Sequence, residues 1–183
     1  MKEDMKLLIS DTFTQMLEKE DIDKITVTKL IEKCHISRQT FYYHFQDIMD
    51  VLDWTFRRGT QELAQESLNI LESEGRVAAL QVYIAFVRKN RVKFEKLLYS
   101  RRWVEIENLL VESVMMYLRE LAQGRLEDLV VSYDDMEVML RFYACGMVGV
   151  LMQYAGKKAP NEEKLVRQIE RIITGNMFPA KDR

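Results

Sequence analysis

An all-α fold of about nine helices is predicted for this chain of 183 residues. Hydrophobic residues make up 48% of it, and only two prolines and seven glycines interrupt it, so helices with short connections are favoured. Apolar residues recur at intervals of three and four along most of the sequence, which is the spacing of one helix face. No segment alternates apolar and polar residues as a half-buried strand does, and no repeat or low-complexity tract is visible.

Four helices are predicted in the first part of the chain, and each has its own apolar face. The first covers about residues 4–19, and the fourth covers about residues 46–71. Thr26 and Ser37 can cap the two short helices between them, because a side-chain oxygen there can accept a hydrogen bond from an orphan backbone N–H. The inward residues of the four helices are, in order, Ile9, Phe13, Met16 and Leu17; Val27, Leu30, Ile31 and Cys34; Phe41 and Phe45; and Ile48, Val51, Leu52 and Phe56.

Five more helices are predicted after residues 73–75, where Ser-Glu-Gly ends the fourth helix. Each is indicated by an amphipathic or fully apolar stripe at helical spacing. Gly124 ends one of them, Gly156 and Pro160 end the next, and Asn161 can cap the last. The five segments are about 77–87, a shorter one that ends near 98, 103–121, 133–155, and a final one that begins after Asn161.

The composition also excludes membrane and secreted classes of protein. No window reaches the roughly 18 uninterrupted apolar residues that a membrane span needs. The charged start, Met1-Lys-Glu-Asp, is followed by no apolar core of a signal peptide. Cys34 and Cys145 lie far apart on apolar faces, which favours reduced, buried thiols over a disulfide or a metal site. We therefore expect a cytoplasmic protein with no membrane partner.

Residues 26–45 combine two short helices with a tight turn. The second helix buries two phenylalanines and turns a mixed polar and aromatic face outward, a layout that suits the major groove of DNA. Arg38 and Gln39 can hydrogen-bond to base edges, and Thr40 can donate, accept or contact a thymine methyl group. The predicted DNA-binding residues are Thr26, Thr28, Lys29, Ser37, Arg38, Gln39, Thr40, Tyr42, Tyr43 and His44.

Some of these residues are expected to contact the phosphate backbone rather than the bases. Thr26, Thr28 and Lys29 begin the first of the two short helices and can direct backbone and side-chain donors to phosphate oxygens. Ser37 can act both as a cap and as a phosphate donor. The predicted partner is a near-palindromic double-stranded DNA operator. Each copy of a homodimer would contact it through the second of the two short helices, and the two helices would be spaced by about 34 Å.

The net charge of −2 is unusual for a DNA-binding protein, which is expected to carry a basic patch. Between Lys24 and His44, however, four cations stand against one acid, a local balance of +3. Acids of the first helix and of the loop after it can weaken this patch over only about 8 Å at physiological salt. We therefore expect DNA binding of modest affinity with a shallow dependence on salt concentration.

The segment from Leu8 to Leu52 resembles the DNA-binding domain of the tetracycline-repressor (TetR/AcrR) family. The sequence departs from the family pattern at the turn, where Cys34 and His35 replace small residues, and at Ile48, where a phosphate-binding lysine is common. The resemblance is carried by Phe13 and Leu17 in the first helix and by the motifs Thr26-Val-Thr, Ile36-Ser-Arg and Thr40-Phe-Tyr-Tyr-His-Phe45.

This resemblance implies two domains and a mode of control. Residues 1–52 would form the helix-turn-helix DNA-binding domain, and residues 53–183 a helical domain for effector binding and dimerisation. Tyr42, Tyr43 and His44 would contact phosphate oxygens. Repression is the usual direction in the family, and a small-molecule effector of unknown identity would release or permit DNA binding by shifting the population of two states.

The last two helices have features of a self-association surface. Residues 142–152 carry no charge, so this segment is too apolar for a surface helix and too short to cross a bilayer. Its glycines allow close approach of another helix, and the resemblance also implies a homodimer built from these helices. The alternative is an ordinary core helix. The predicted dimer-interface residues are Cys145, Gly146, Gly149, Met152, Leu165, Ile169 and Ile172.

The C-terminal region is rich in methionine and aromatic residues, which more often form a core than a pocket. In the resembled family this region encloses a small-molecule pocket, and flexible methionines with flat aromatic rings suit an adaptable apolar cavity. Both interpretations stay open. The candidate pocket residues are Tyr83, Phe86, Tyr99, Trp103, Met115, Phe142 and Tyr143.

Two further classes of function complete the predictions. The run from Phe41 to Ile48, with Trp54, extends the resemblance to a branch that includes activators of dihydroxyacetone kinase genes, so a coregulator that binds a metabolite-sensing regulatory protein is the alternative. No enzyme is expected, because the common phosphate-binding, dinucleotide-binding, zinc-protease and hydrolase motifs are absent. No cofactor or metal is predicted, since Cys34 and His35 lack companions at zinc-ligand spacing.

Overall fold

The computed structural model describes residues 2–122, 132–155 and 161–173. These residues form nine α-helices and one short 3-10 turn at Ile22–Lys24, and they contain no strand. The prediction of an all-α fold is thereby confirmed. The predicted helix ends at Gly124, Gly156 and Pro160 lie outside the described residues. The helices are α1 (Lys2–Lys19), α2 (Val27–Cys34), α3 (Arg38–His44), α4 (Ile48–Ser73), α5 (Arg76–Lys89), α6 (Arg91–Leu98), α7 (Trp103–Ala122), α8 (Tyr133–Ala155) and α9 (Glu162–Ile173).

Packing divides the described chain into two units. The first unit comprises the residues up to Gly59 together with Arg91–Ser113, and the second comprises Thr60–Asn90 and the described residues from Val114 onward. Two long helices, α4 and α7, therefore contribute one part to each unit. The domain boundary between residues 52 and 53 falls inside α4, and that functional division stays a prediction.

The core of the first unit is formed where α1 packs against α2 and α6. Its largest fully buried side chains come from six of the helices or their ends, so one continuous apolar cluster holds the short helices α2 and α3 in place. All four residues predicted to face inward on α1 are buried, whereas Val27, Ile48 and Phe56 are only half-buried. The fully buried side chains of this unit include Ile9, Phe13, Met16, Leu30, Phe41, Phe45, Val51, Leu52, Leu97 and Ile106.

In the second unit α5 packs against α8 and α9. The rings of Tyr83 and Tyr117 stack with their centroids 5.2 Å apart, and the Tyr117 hydroxyl donates a hydrogen bond of 3.0 Å to the Oγ of buried Ser67. Burial raises the pKa of Tyr117 to about 12 and raises that of Tyr83 further. An ion pair between Arg119 and Glu137, 2.6 Å at its shorter contact, joins α7 to α8.

Side-chain caps explain where several helices begin. The Asn161 Oδ1 accepts a hydrogen bond from the Lys164 N–H at 3.0 Å, which confirms the predicted cap of α9. At α4, the Asp47 carboxylate accepts from the backbone of Met49 and of Asp50, while the Asp50 carboxylate accepts from the Gln46 N–H at 2.8 Å. This reciprocal arrangement fixes the start of α4 directly after α3.

Candidate nucleic-acid interface

Both short helices of the 26–45 segment are capped as the sequence predicts. The Thr26 Oγ1 accepts a hydrogen bond from the Lys29 N–H at 3.3 Å, and the Ser37 Oγ accepts one from the Thr40 N–H at 3.0 Å. The hydroxyls of Ser37 and Thr40 also share a hydrogen bond of 2.9 Å. Thr40 is half-buried, so its side chain is held close to the start of α3.

The turn between α2 and α3 depends on a left-handed backbone conformation at His35. This residue has φ 54° and ψ 41°, a region that favours glycine or asparagine at the end of a helix. The Ile36 N–H donates to the Ile31 carbonyl at 3.1 Å and closes the turn. Cys34 faces the core, and burial raises the pKa of its thiol. Of the two residues that depart from the TetR pattern in this turn, Cys34 is buried and His35 adopts the left-handed backbone conformation.

Helix α3 presents its polar face to solvent. Phe41 and Phe45 are buried on its inner side, as predicted, and their rings lie 6.1 Å apart. Tyr42 is 54% exposed and Tyr43 is 67% exposed, which is unusual for aromatic residues on a helix that is anchored in a core. His44 is half-buried. Arg38 and Gln39 at the first turn are exposed as well.

A hydrogen bond across the turn connects the two short helices. The Arg38 Nη2 donates to the Thr28 Oγ1 at 2.9 Å, and both residues are exposed. Thr28 and Arg38 are thus brought together, although their separation of ten residues gave no sign of this contact in the sequence. Arginine has five N–H donors in a rigid plane, so this bond leaves donors of Arg38 available for a further partner.

Two of the four cations counted in this segment are held by carboxylates of the protein itself. The Lys29 Nζ lies 3.1 Å from a Glu20 carboxylate oxygen and also donates to the Lys24 carbonyl at 2.8 Å. The Lys24 Nζ lies 2.9 Å from the Asp21 carboxylate, which lowers the pKa of Asp21 and raises that of Lys24. Among the described residues, Lys33 and Arg38 have no carboxylate partner.

A polar cluster fixes the segment before α2 to the corner between α6 and α7, within the first unit. The Asp23 carboxylate accepts from the Ser100 Oγ at 2.7 Å and from the Arg101 N–H at 2.9 Å, and these hydrogen bonds lower its pKa. The Asp21 carboxylate lies 3.2 Å from the Lys96 Nζ. No signal in the sequence indicates this cluster, because its members are more than 70 residues apart and show no common motif.

The predicted dimer residues fall into two groups. On α8, Cys145 is exposed, so the prediction that its thiol is buried is wrong. Gly146 and Gly149 are exposed as well, and a side-chain carbon built on either glycine would meet no atom within 4 Å. On α9, by contrast, Leu165 and Ile169 are 6% exposed, because this face packs inside the second unit, where α9 lies against α5. Leu165 and Ile169 are therefore removed from the candidate surface. Ile172, 41% exposed, and half-buried Met152 remain in it.

The candidate pocket residues are not brought together as one set. Tyr99 is 85% exposed and Phe142 is 73% exposed, so neither lines an enclosed cavity. Tyr99 also belongs to the first unit, as does half-buried Trp103. The aromatic character of Tyr99 and Phe142 indicated burial, but Tyr99 lies in the turn after α6 and Phe142 lies on the exposed face of α8. In the second unit, Tyr83 and Met115 are buried, and Phe86 and Tyr143 are half-buried.

The described residues contain neither a cluster of metal-binding side chains nor a membrane-spanning helix. No three or more His, Cys, Asp or Glu side chains in these residues are grouped so that they could hold a metal ion. None of the described helices combines the length and the apolar character that crossing a membrane requires.

Comparison with known proteins finds similarity to transcription regulators. No family model matches the chain. A curated protein similar to it is DhaS of Lactococcus lactis subsp. lactis (strain IL1403), the HTH-type transcriptional activator of the dhaKLM operon, with 22% identity over 90 residues. The match covers 49% of this chain and 46% of that protein, so it spans about half the length of each.

Solved structures that match over nearly their whole length include an activator and a repressor of transcription. The dihydroxyacetone kinase operon activator DhaS has a TM-score of 0.64 and 18% identity, with 94% of this chain and 96% of that chain covered. AlkX, a TetR family repressor from Dietzia sp. strain DQ12-45-1b that is implicated in the biodegradation of n-alkanes, has a TM-score of 0.57 and 17% identity, with 94% of each chain covered. The chain therefore has the TetR-like all-α fold of these two transcription regulators.

Proposed function

We propose that this chain is a sequence-specific DNA-binding transcription regulator. The observation that carries the proposal is the outer face of α3, where Arg38, Gln39, Tyr42 and Tyr43 are exposed while the opposite side is anchored in the core. Arginine and glutamine are suited to base edges in the major groove, and the tyrosine hydroxyls to phosphate oxygens. The fold shared with an activator and a repressor of transcription supports this function.

The regulator acts as a homodimer whose two copies meet through α8. Val138 and Phe142 are more than 70% exposed, and with Cys145, Gly149 and Met152 they recur at alternating intervals of four and three along one helix face. This is the spacing of a helix that packs along its length against another helix. Exposed glycines allow the two backbones to approach closely, and a two-fold axis at this face gives two reading helices for an operator with two half-sites.

A small-molecule effector controls the regulator by binding in the second unit near Tyr83 and Met115. Tyrosine and methionine supply flat and flexible apolar surface, and a phenol adds a hydrogen-bonding group. Repression is the proposed direction of control, and effector binding releases the operator by shifting the population of two states. The similar proteins include one activator and one repressor, so the fold accommodates both directions.

An alternative function is that of a coregulator that binds DNA only together with a regulatory protein. Two observations favour this alternative. First, the carboxylates of Glu20 and Asp21 form ion pairs with Lys29 and Lys24, two of the four cations counted between Lys24 and His44. Second, Ile48 begins α4 at a position where a cation would strengthen contact with phosphate. Both reduce the affinity of the chain for DNA in the absence of a partner.

The two functions are separated by DNA binding of the purified protein alone. Operator sequences are selected from a random duplex pool, and affinities for the selected duplex are measured by fluorescence anisotropy. Under the proposed function, Tyr42→Ala and Arg38→Ala each weaken binding about 10-fold or more, because each loses hydrogen bonds to DNA. Tyr99→Ala removes another exposed tyrosine, outside α3, and serves as the control, with affinity within about twofold of the wild type.

Absence of any selected sequence would overturn direct DNA recognition. The coregulator alternative would then be tested by repeating the selection in an extract of cells that express the protein. Equal losses for Tyr42→Ala and Tyr99→Ala would also contradict the proposed role of α3.

A further inference from the structure

The exposed guanidinium of Arg38 is tied to the neighbouring helix. Its Nη2 donates to the Thr28 Oγ1 at 2.9 Å, although a long charged side chain at an exposed helix start ordinarily samples many rotamers. Arg38 has no carboxylate partner among the described residues, so this hydroxyl is the contact that orients the side chain there.

Thr28 is well suited to hold another side chain. A β-branched residue in a helix has few χ1 rotamers, so the position of its hydroxyl is defined by the backbone of α2. That backbone is itself fixed by the Thr26 cap and by the buried face of α2 at Leu30 and Ile31. A second hydrogen bond between side chains lies nearby, where the hydroxyls of Thr40 and Ser37 are 2.9 Å apart.

We propose that Thr28 is a positioning residue for base recognition, which acts by orienting Arg38 rather than by contacting phosphate. This inference rests on the proposed DNA-binding function. A restricted guanidinium presents its remaining N–H donors in one direction and so distinguishes a matching base edge from others. The bond to Thr28 therefore raises the discrimination between sequences more than it raises affinity for DNA in general.

The two roles of Thr28 give different readouts. A phosphate contact carries no sequence information, so its loss weakens binding to every duplex by the same factor. Loss of an orienting hydrogen bond weakens binding to the selected operator and leaves binding to a scrambled duplex unchanged. The ratio of the two affinities separates these outcomes.

The experiment compares Thr28→Val, Thr28→Ser, Arg38→Ala and the double variant Thr28→Val/Arg38→Ala with the wild type. Each affinity is measured for the duplex selected by the wild type and for a scrambled duplex of the same composition. Valine keeps the shape of threonine without the hydroxyl, whereas serine keeps the hydroxyl. Circular dichroism and thermal unfolding establish that each variant is folded.

We expect Thr28→Val to lower the affinity ratio about 5- to 10-fold, with affinity for the scrambled duplex within about twofold of the wild type, because one net hydrogen bond is lost. Thr28→Ser should retain the wild-type ratio. In the Arg38→Ala background, Thr28→Val should have no further effect, because the residue through which it acts is gone.

Equal loss on both duplexes, or losses that multiply in the double variant, would overturn the positioning role while leaving DNA recognition by α3 intact. A wild-type ratio for Thr28→Val would have the same meaning. If Thr28→Val failed to fold, the Thr28→Ser and Thr28→Ala ratios would decide between the roles. A wild-type protein that prefers no duplex would overturn the proposed function together with this inference.

Discussion

Cations near α3 are available to DNA only when carboxylates of the protein do not already hold them. Lys29 illustrates this at the scale of one residue, since its Nζ lies 3.1 Å from a Glu20 carboxylate oxygen and its side chain is half-exposed. An exposed pair of this kind is stabilised by about 1 kcal/mol or less, so a phosphate can replace the carboxylate at small cost. Contact with phosphate nevertheless requires this exchange, and the exchange lowers the net gain from each such lysine.

Glu20→Gln removes the carboxylate that holds Lys29. We expect it to raise the affinity for the selected operator about two- to fivefold and to steepen the slope of log affinity against log salt by about 1, because one more cation becomes available to phosphate. The measurement is a salt titration of binding by fluorescence anisotropy.

Glu18→Gln is the matched control, because Glu18 lies on α1 near Glu20 but pairs with Lys93, at 3.2 Å. It makes the same change in net charge without freeing Lys29. The same increase in both variants would assign the effect to overall charge and contradict the role of the Glu20–Lys29 pair.

Helices in the second unit are connected by buried polar contacts as well as by apolar packing. Tyr117 of α7 stacks on Tyr83 of α5 and donates to Ser67 of α4, so three helices meet at one phenol. Because burial raises the pKa of Tyr117 to about 12, the folded protein binds this proton above the pH at which the unfolded chain loses it. Stability from this group is full below about pH 10 and falls as the pH rises towards 12.

The Tyr117→Phe variant tests this contact among three helices through the pH dependence of the free energy of unfolding. The variant should be less stable than the wild type by about 1–2 kcal/mol at pH 9, because Ser67 loses its partner. The difference should shrink by about 1.4 kcal/mol between pH 9 and pH 11, since only the wild type loses stability through Tyr117 ionisation. The free energy of unfolding is measured with urea at each pH.

Tyr133→Phe, which alters an exposed tyrosine of α8, controls for general alkaline effects. Tyr83 is present in all of these variants, and burial raises its pKa further than that of Tyr117, so it keeps its proton in the folded protein over this pH range. A constant difference between Tyr117→Phe and the wild type from pH 9 to pH 11 would contradict the burial of this phenol.

At the scale of the whole molecule, the proposed homodimer is the feature on which the proposed operator recognition depends. The exposed stripe on α8 contains Cys145, and the second cysteine of the chain, Cys34, is buried with a raised pKa. The exposed thiol of Cys145 can therefore be cross-linked to test the proposed two-fold interface without introducing a new cysteine.

A short bis-maleimide should join two native chains through Cys145. Cys145 is the middle residue of the stripe, so in the proposed dimer it lies near the two-fold axis, where a residue faces its own copy. Denaturing gels should show a covalent dimer for the wild type and for Cys34→Ser, and none for Cys145→Ser. Phe142→Glu places a charge in the stripe and should give monomers in light scattering, with operator affinity reduced at least 10-fold.

Tyr133→Glu is the control for this charge, because Tyr133 is exposed on the same helix but lies about 140° away from Val138 around its axis. A monomeric wild type, or dimers that persist in Phe142→Glu, would contradict assembly through this face.

Local signals in the sequence determined the helices and their caps. Thr26, Ser37 and Asn161 cap helices because the cap forms between residues three apart, which the sequence displays directly. The inward placement of Phe41 and Phe45 follows from the same local geometry, because residues four apart share one helix face. The all-α fold and the polar face of α3 could therefore be predicted.

Only the tertiary structure decided which groups meet across the chain. Thr28 meets Arg38 across a turn, and Asp23 meets Ser100 across 77 residues, contacts that no periodicity encodes. An amphipathic stripe requires burial but does not name the surface that covers it, so the apolar face of α9 indicated a partner chain where the structure places α5. The sequence by itself determined local conformation through hydrogen bonds between near neighbours, whereas partner choice among side chains depended on how distant helices pack.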